Sequence, residues 1–253
     1  MIIRDEQMNA LRDSVALNFE AEMTRHVAEF SPHHFAVIGQ AGACNVVRSS
    51  IVKASSFGFT NRGCVRLYID LTFMFGSSFA TDPLLPWAGS ILRAGSAEDQ
   101  MDRAKLLHVR ALEFVDATAG PDHQYAKEVL RRARSVRYQE LSVRGNDDFE
   151  SASLRRLQSA DAQKCAYAGE PAVRGLIREG TEQAARYSVS SSEGASLFVI
   201  LMFAMGHGFA ADPLFPWVSG TLNNQVLGDP NKRAERLYAK TMTYLDHVLA
   251  HVG

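Results

Sequence analysis

Apolar residues recur every three to four positions along most of the chain, which is the spacing of one face of an α-helix. The first such stripe comprises Met8, Leu11, Val15, Phe19, Met23, Val27 and Phe30. It predicts a long helix that buries one side. No segment shows the sustained two-residue alternation of a half-buried strand, so the sequence predicts an all-α fold.

Further helices follow from the same spacing and from residues that begin or end helices. A second helix is predicted over residues 42–56, ending near Gly58, and a third from a Thr60 cap to Gly76. A later helix is predicted to begin at Ser96 and Asp99. Its inner side is expected to contain Met101, Leu106, Leu112 and Phe114.

The second half of the chain has similar signals. Asp229 precedes Pro230, and proline is favoured at the first helical position because its missing N–H would have no partner there. Residues 122–137 are polar and predict a connecting helix between the two halves. Gly145 and Asn146 predict a break near the start of the second half.

One motif occurs twice. FGSSFATDPLLPWAGSIL runs from Phe75 to Leu92, and MGHGFAADPLFPWVSGTL runs from Met205 to Leu222. Nine of the eighteen positions are identical, and both tryptophans of the chain are among them. The match continues outward at the same offset, without gaps, so that Gly39 corresponds to Gly169.

The constant offset predicts a tandem duplication. We expect a first helical unit over residues 1–120, a connecting helix over 121–134 and a second unit over 135–253. The two units would be related by a pseudo-two-fold axis, either as separate bodies or packed as one globular body. Each is of ordinary domain size.

The shared residues of the motif have a structural interpretation. Gly76 and Gly206 would each end a helix. The other shared positions would cap the next helix, occupy its first turn and place an indole on its inner face. These are Asp82 and Asp212 as caps, Pro83 and Pro213 in the first turn, and Trp87 and Trp217 facing inward. The alternative is a carboxylate site built from the two aspartates, although no partner base or nucleophile is near either one in sequence.

The histidines and cysteines predict neither a metal site nor a cofactor site. His207 lies in a Gly-His-Gly turn, but its counterpart in the first copy of the motif is Ser77. His247 and His251 are four apart and could share a metal, yet no third ligand is nearby, so a solvated helix end is favoured. Three widely spaced cysteines, Cys44, Cys64 and Cys165, predict reduced thiols.

Two groups of charged residues occur in the connector and on the third predicted helix. The connector carries a basic strip diluted by acidic residues, which is typical of a solvated helix face: Lys127, Arg131, Arg132, Arg134, Arg137 and Arg144. The third predicted helix has a polar face made by Arg62, Arg66 and Asp70, whose counterparts are Ser192, Ser196 and Ile200. This asymmetry predicts that Arg62, Arg66 and Asp70, together with His207, meet a partner.

The composition is that of an ordinary soluble protein. The 253 residues are 46% apolar and 22% charged, with a net charge of −1, so nucleic acid is not an expected partner. The N-terminal MIIRDEQ lacks an apolar signal region, and the longest apolar run, residues 195–206, is too short to span a bilayer. We therefore expect a cytoplasmic protein without a membrane partner.

Three segments resemble a family of uncharacterised bacterial helical proteins encoded beside type VI secretion spike, PAAR-repeat and effector genes. They are IRDEQMNAL, YIDLTFMFGSSFATDPLLPWAGSIL and RAKLLHVRALEF. The resemblance covers the first unit and the core of the second. This chain has Ala80 and Ala210 where the family commonly has an acidic residue, and Ile200 in place of the helix aspartate. These differences argue against a catalytic role for the acidic residues that the family has at these positions.

The resemblance implies a protein partner rather than a substrate. We expect a non-enzymatic chaperone or adaptor that binds a type VI effector, a spike-associated protein or a co-chaperone. The closest alternative is an immunity protein that neutralises a cognate toxin. The second alternative, from a different class, is an unrecognised hydrolase.

Overall fold

The computed structural model describes residues 5–95, 99–143, 148–224, 226 and 228–252, with side chains described between residues 14 and 250 of these ranges. The secondary structure in these ranges is helical, and no strand occurs within them. The prediction of an all-α fold is therefore confirmed.

Five α-helices precede the connector. They are α1 (Asp5–Phe30), α2 (Pro32–Ser56), α3 (Arg62–Phe75), α4 (Pro86–Arg93) and α5 (Gln100–Ala119). The connector contains α6 (Gln124–Ser135) and a 3-10 turn, Tyr138–Leu141. Six helices follow: α7 (Phe149–Ala160), α8 (Ala162–Ala168), α9 (Glu170–Arg186), α10 (Ser192–Met205), α11 (Pro216–Leu222) and α12 (Pro230–Val252).

Several helix boundaries recur at the offset of the repeated motif. The starts of α10, α11 and α12 correspond to those of α3, α4 and α5, and the 3-10 turn Phe209–Ala211 corresponds to Phe79–Thr81. Within α2 the backbone leaves the helical region at Gly39 (φ 66°), and at the corresponding position Gly169 (φ 81°) separates α8 from α9. The single kinked helix of the first half thus corresponds in position to two helices of the second.

The core is one continuous cluster of buried side chains drawn from both halves. α10 is its most apolar helix, with nine buried residues out of fourteen. Tyr68 and Phe198, at matching positions of α3 and α10, are among the largest fully buried side chains. Burial of this apolar surface is the main stabilising contribution to the fold.

The apolar stripe predicted for α1 is only partly correct. Met23 and Val27 are fully buried and Phe19 packs against the core, whereas Val15 is 53% and Phe30 42% exposed. The side chains of Met8 and Leu11 lie outside the described residues. The periodicity identifies the helix, and among its described side chains the stripe is buried only between Phe19 and Val27.

The inner face predicted for α5 is wrong at three of its four positions. Met101, Leu106 and Leu112 are 47%, 46% and 48% exposed, and only Phe114 of that set is buried. The helix packs instead through Arg103, Ala104, Leu107, Ala111 and Phe114. On a helical projection these five residues fall within about 100° of one another, and Met101, Leu106 and Leu112 lie outside that arc.

The capping predictions have mixed outcomes. Asn61, not Thr60, caps α3, because its side chain accepts the N–H of Gly63. Asp229 accepts the N–H of Asn231 and Pro230 begins α12, as predicted. The predicted start at Ser96 and the predicted break at Gly145 and Asn146 lie outside the described residues.

α2 is also long and apolar enough, by length and composition, to cross a bilayer. It is the one helix of that kind among the described residues, with a mean hydropathy of 1.3 in its most apolar window. The helix packs against α1 and α3 and is kinked at Gly39. A kinked core helix passes the same test of length and composition, so this is weak evidence for a membrane span.

Candidate functional site

The two copies of the repeated motif meet where α3 and α10 end. Gly76 (φ 91°) and Gly206 (φ 97°) have left-handed backbone conformations. A Cβ atom on Gly76 would lie 3.0 Å from the carbonyl oxygen of Met205, and one on Gly206 would lie 2.9 Å from that of Phe75. Both positions therefore require glycine, and the prediction that these residues end helices is confirmed.

Asp82 connects its own turn to the opposite motif. Its Oδ1 accepts the N–H of Leu84 at 2.8 Å, and its Oδ2 accepts the N–H of His207 at 3.0 Å. The carboxyl group is buried, so both bonds satisfy backbone donors that have little access to water.

Asp212 makes the same pair of bonds in the opposite direction. Its Oδ1 accepts the N–H of Leu214 at 2.9 Å, and its Oδ2 accepts the N–H of Ser77 at 2.7 Å. Each carboxylate thus fixes the first residue after the helix-ending glycine of the other motif. The aspartates hold the two halves together through backbone contacts.

The prediction that these aspartates cap the following helices is wrong. α4 begins at Pro86 after Leu85, and α11 begins at Pro216 after Phe215. Asp82 and Asp212 instead directly follow the preceding 3-10 turns. The side chain of each accepts the backbone N–H of the residue two positions later. Consequently the second proline of each motif, not Pro83 or Pro213, takes the first helical position. Pro83 is half-buried and Pro213 is exposed.

The tryptophans are largely buried, as predicted. Trp87 packs edge-on against Phe75, with ring centroids 6.1 Å apart, and Trp217 packs against Tyr244 at 5.6 Å. Both retain partial exposure. They contribute to the core around the two copies of the motif. We call these copies the crossed motifs, and each bond from an aspartate of one copy to the backbone of the other a crossing.

The two carboxylates differ in their electrostatic surroundings. Burial acts to raise the pKa of Asp82, but the contact with His207, the backbone N–H donors and the charge of Lys164 together lower it below its usual value. Burial raises the pKa of Asp212 above its usual value, and the N–H groups of Leu214 and Ser77 only partly oppose this. The difference arises because Ser77 stands where the other crossing has His207.

His207 is less accessible than its Gly-His-Gly sequence suggests. Its side chain is 14% exposed, and its Nδ1 lies 3.6 Å from Oδ2 of Asp82, which is an ionic contact rather than a hydrogen bond. Its Nε2 lies 3.2 Å from the hydroxyl of Thr81. Burial acts to lower the pKa of His207, but the charge of Asp82 raises it overall.

Two lysines approach these crossings, and the sequence analysis missed both. The Nζ of Lys53 donates to the carbonyl of Ser77 at 2.7 Å, and that of Lys164 donates to the carbonyl of Phe203. Burial lowers the pKa of Lys164, against the raising effect of Asp82. Nothing in the repeat marks them, because their counterparts are Gln183 and His34.

The polar face of α3 contacts α1. Arg62 forms an ion pair with Glu22 and lies 4.6 Å over the ring of Phe19. Arg66 donates to Nδ1 of His26 at 3.3 Å, and Nε2 of the same ring lies 2.6 Å from Asp70. Because Nδ1 accepts a bond, Nε2 carries the proton donated to Asp70.

These three residues do not meet His207. Burial raises the pKa of Asp70, which is opposed by its bond from His26. In the second half Arg156 takes the place of His26 and donates to Ser196 at 3.0 Å. Arg62 also lines an open groove of about 510 Å³ bounded by α1, α2 and the start of α3. The predicted partner-binding residues therefore fall at two separate places.

An apolar cavity of about 360 Å³ lies beside the crossed motifs. This is within the usual size range of ligand sites. Its lining is mostly aliphatic and aromatic and comes from both halves and from the connector, with Asp82, Lys164 and His34 among the few polar groups. Burial lowers the pKa of His34 to about 3, so this ring is neutral at ordinary pH.

Helix α6 lies along α12 at one side of this cavity. Its residues Leu130 and Ala133 line the cavity, but no residue of α6 is fully buried. Arg134 forms an exposed ion pair with Asp246, and the hydroxyl of Tyr238 donates to the carbonyl of Val136 at 2.8 Å. α6 is an amphipathic helix laid on the surface of α12.

The described side chains form no cluster of three or more histidine, cysteine or acidic groups that could hold a metal ion. The three cysteines are free thiols, with Cys64 and Cys165 buried, and burial raises the pKa of Cys165 to about 11. In the pair of His26 and Asp70, both ring nitrogens of the histidine are engaged. A free ring nitrogen would be needed for His26 to activate a nucleophile.

Comparison of the chain with protein-family models, with curated protein sequences and with solved structures gives no match.

Proposed function

We propose that this protein is a non-enzymatic chaperone or adaptor that binds an apolar helical segment of a protein partner at the cavity beside the crossed motifs. The observation that carries the proposal is this cavity of about 360 Å³, whose mostly apolar lining comes from both halves. An apolar groove between helices is a common binding site for an amphipathic helix. Ala204, an exposed residue of α10, is part of the lining and is therefore at the opening.

The two halves are proposed to be tandem copies of one unit related by a pseudo-two-fold axis. The recurring helix starts and the reciprocal bonds of Asp82 and Asp212 support this. A second matched contact adds to it: Arg103 donates to the carbonyl of Phe57 at 2.9 Å, and Arg233 donates to that of Tyr187 at 2.8 Å. In such a pair of units the cavity is a junction site. An experimental structure should superpose residues 39–116 on residues 169–246 with the same helix crossings.

The sequence resemblance supplies the biological context of this proposal. A partner from a type VI secretion gene cluster would be an effector, a spike-associated protein or a co-chaperone, and the complex would form in the cytoplasm before secretion. The near-neutral net charge of −1 supports a protein partner rather than nucleic acid or an anionic membrane surface.

Co-purification tests the proposal. The chain is co-expressed with the product of each adjacent gene, as wild type, as Ala204→Trp and as Ala185→Trp. Ala204→Trp places an indole at the opening of the cavity, whereas Ala185 is an exposed residue of α9 outside it. We expect a partner to be retained by wild type and by Ala185→Trp and lost with Ala204→Trp. Equal retention by both variants would exclude the cavity as the binding site.

Two further measurements separate the alternatives. A chaperone raises the soluble level of its effector, whereas an immunity protein restores growth to cells that express the active toxin. Turnover of ester, phosphoester or peptide substrates by the purified chain would replace the adaptor proposal with a hydrolase.

A further inference from the structure

His34 is a buried polar side chain of the cavity. It lies in the first turn of α2, is 8% exposed and belongs to the cavity lining. Its Nδ1 lies 2.8 Å from the hydroxyl oxygen of Ser31, the residue that precedes the helix. The side chain of Ser31 makes no capping bond to the backbone of α2, so its hydroxyl serves this ring instead.

The contact with Ser31 sets the tautomer of the ring. The hydroxyl of Ser31 has no other acceptor among the described residues, so its hydrogen is donated to Nδ1 of His34. Nδ1 therefore accepts a bond, and Nε2 carries the proton of the neutral imidazole. Because burial lowers the pKa of His34 to about 3, the ring keeps this neutral form at ordinary pH.

Nε2 of His34 is a donor without a partner in the described part of the chain. It is also not one of the fully buried polar atoms there that lack a partner, so it is accessible. The rings of Phe73 and Phe215 lie 6.1 Å and 5.7 Å from that of His34, and both line the cavity with it. The N–H group thus borders an apolar space, where a donor is stabilised by meeting an acceptor.

We propose that the cavity binds a small, uncharged, apolar molecule with a carbonyl oxygen, such as an alkyl ester or ketone, and that Nε2–H of His34 donates to this oxygen. The apolar body of the ligand packs against the aliphatic and aromatic lining. A volume of about 360 Å³ with few placed polar groups is typical of a site for a small organic molecule. The ligand would compete with a partner's helix for the same space, and its binding requires no protein partner.

The charged groups of the cavity favour an uncharged ligand. Among the described residues that line it, Lys164 is the one lysine or arginine, and its ammonium group donates to the carbonyl of Phe203. The charge of Asp82, in the same lining, already acts on Lys164. A ligand carboxylate would therefore be buried beside Asp82 without a cation of its own, which is unfavourable. Burial raises the pKa of Tyr244, so this phenol of the lining is neutral as well.

The probe is Prodan, an uncharged naphthalene fluorophore that carries a carbonyl group. Its emission moves to shorter wavelength in apolar surroundings and to longer wavelength when its carbonyl accepts a hydrogen bond. It is titrated against the isolated full-length chain at pH 7, and the intensity and wavelength of emission are recorded. We expect saturable binding, with emission at shorter wavelength than in water.

Two substitutions of His34 form a matched pair. Glutamine keeps a neutral N–H donor, whereas methionine has nearly the same length and no donor. We expect His34→Gln to bind Prodan about as well as wild type and His34→Met to bind it at least about threefold more weakly, which is the scale of one hydrogen bond. Prodan bound to His34→Met should also emit at shorter wavelength than Prodan bound to wild type.

Two controls accompany this pair. Tyr187→Phe changes a half-buried residue outside the cavity lining and should leave binding unchanged. A measurement on the unsubstituted chain does not depend on the folding of any variant. The nitrogen NMR resonance of His34 Nε2 should move when methyl octanoate is added, and an unmoved resonance at saturation would contradict the proposed bond.

Displacement of Prodan identifies the class of ligand. Methyl octanoate should displace it, whereas octanoate, which is charged at pH 7, should displace it far less. Stronger displacement by octanoate would make the ligand a carboxylate and overturn the inference. Equal binding and equal emission wavelength for His34→Gln and His34→Met would place the probe elsewhere, and absence of saturable binding to wild type would remove the site.

The outcomes for the ligand and for the adaptor are distinguishable. Prodan binding without any co-purifying partner would support the ligand site and remove the adaptor. Retention of a partner by a chain that binds no Prodan would do the reverse.

Discussion

His207 lies with its Nδ1 3.6 Å from Oδ2 of Asp82, whereas Ser77 takes the matching position beside Asp212. Asp82 therefore has an imidazole neighbour that Asp212 lacks, although a lysine acts on each carboxylate. The pKa of Asp82 is lowered and that of Asp212 is raised, although each accepts two backbone N–H groups. The two carboxylates thus make the same backbone hydrogen bonds, but their contributions to stability depend on pH in different ways.

Stability should fall as pH rises past the ordinary histidine range. The pKa of His207 is raised above 6.5, so its stabilising contribution is complete below pH 6.5 and is lost as pH rises through the folded-state pKa. In His207→Ser, which copies the other crossing, this loss should be absent. Melting temperatures of both proteins between pH 6 and pH 9 provide the measurement, and parallel curves would contradict the assignment.

Acid should destabilise the fold through His34. Burial lowers the pKa of His34 to about 3, so the unfolded chain binds a proton below pH 6.5 that the folded chain excludes. The free energy of unfolding should therefore decrease by about 1.4 kcal/mol per pH unit between the two values. Urea denaturation of His34→Gln should lack this slope. His108→Gln, which changes an exposed histidine of α5, is the control and should keep it.

Neutralising the crossed carboxylates should cost more at one position than at the other. Asp82→Asn replaces a carboxylate whose pKa is lowered, and we expect a loss of about 1–3 kcal/mol at pH 7. Asp212→Asn should cost less, because burial already disfavours the charge of Asp212. Urea unfolding at pH 7 compares them. A larger loss for Asp212→Asn would contradict the pKa directions.

The helix-ending glycines should not tolerate a side chain. Gly76→Ala and Gly206→Ala should each cost about 1–3 kcal/mol, because φ is positive and the new Cβ would lie within about 3 Å of a carbonyl oxygen. Gly175→Ala is the matched control. Gly175 is within α9 with no atom near its Cβ position, so this change should stabilise the chain by up to about 1 kcal/mol. Thermal unfolding of the three variants measures the difference.

Reversing a charge on α3 should leave stability nearly unchanged at Arg62 but not at Arg66, so only Arg62 allows an effect on binding to be measured separately. Arg62→Glu breaks an exposed ion pair with Glu22 and should change the free energy of unfolding by less than about 1 kcal/mol. Arg66→Glu places a carboxylate beside the bonded pair of His26 and Asp70, and should destabilise the chain as well. Weaker co-purification of a partner with Arg62→Glu, at unchanged melting temperature, would support the predicted binding role of Arg62.

Several features of this protein follow from local sequence. Helical periodicity is a property of neighbouring residues, so it predicts the all-α fold and most helices without knowledge of their contacts. The same holds for Gly76, Gly206 and Asp229, which end or begin helices for reasons within one turn of the chain. The repeated motif likewise identifies Asp82 and Asp212 as structurally important.

Only the tertiary structure decides what those aspartates bind and which side of α5 is buried. Oδ2 of each aspartate accepts an N–H group from the other half of the chain, a partner that no local pattern specifies. On α5, Ala104 and Ala111 are buried and Leu112 is exposed, because the two alanines share with Leu107 the side that meets the neighbouring helices. Hydropathy ranks leucine above alanine, and packing reverses that order here. The distinction is physical: periodicity is fixed by the geometry of one helix, whereas burial depends on which other helix lies against it.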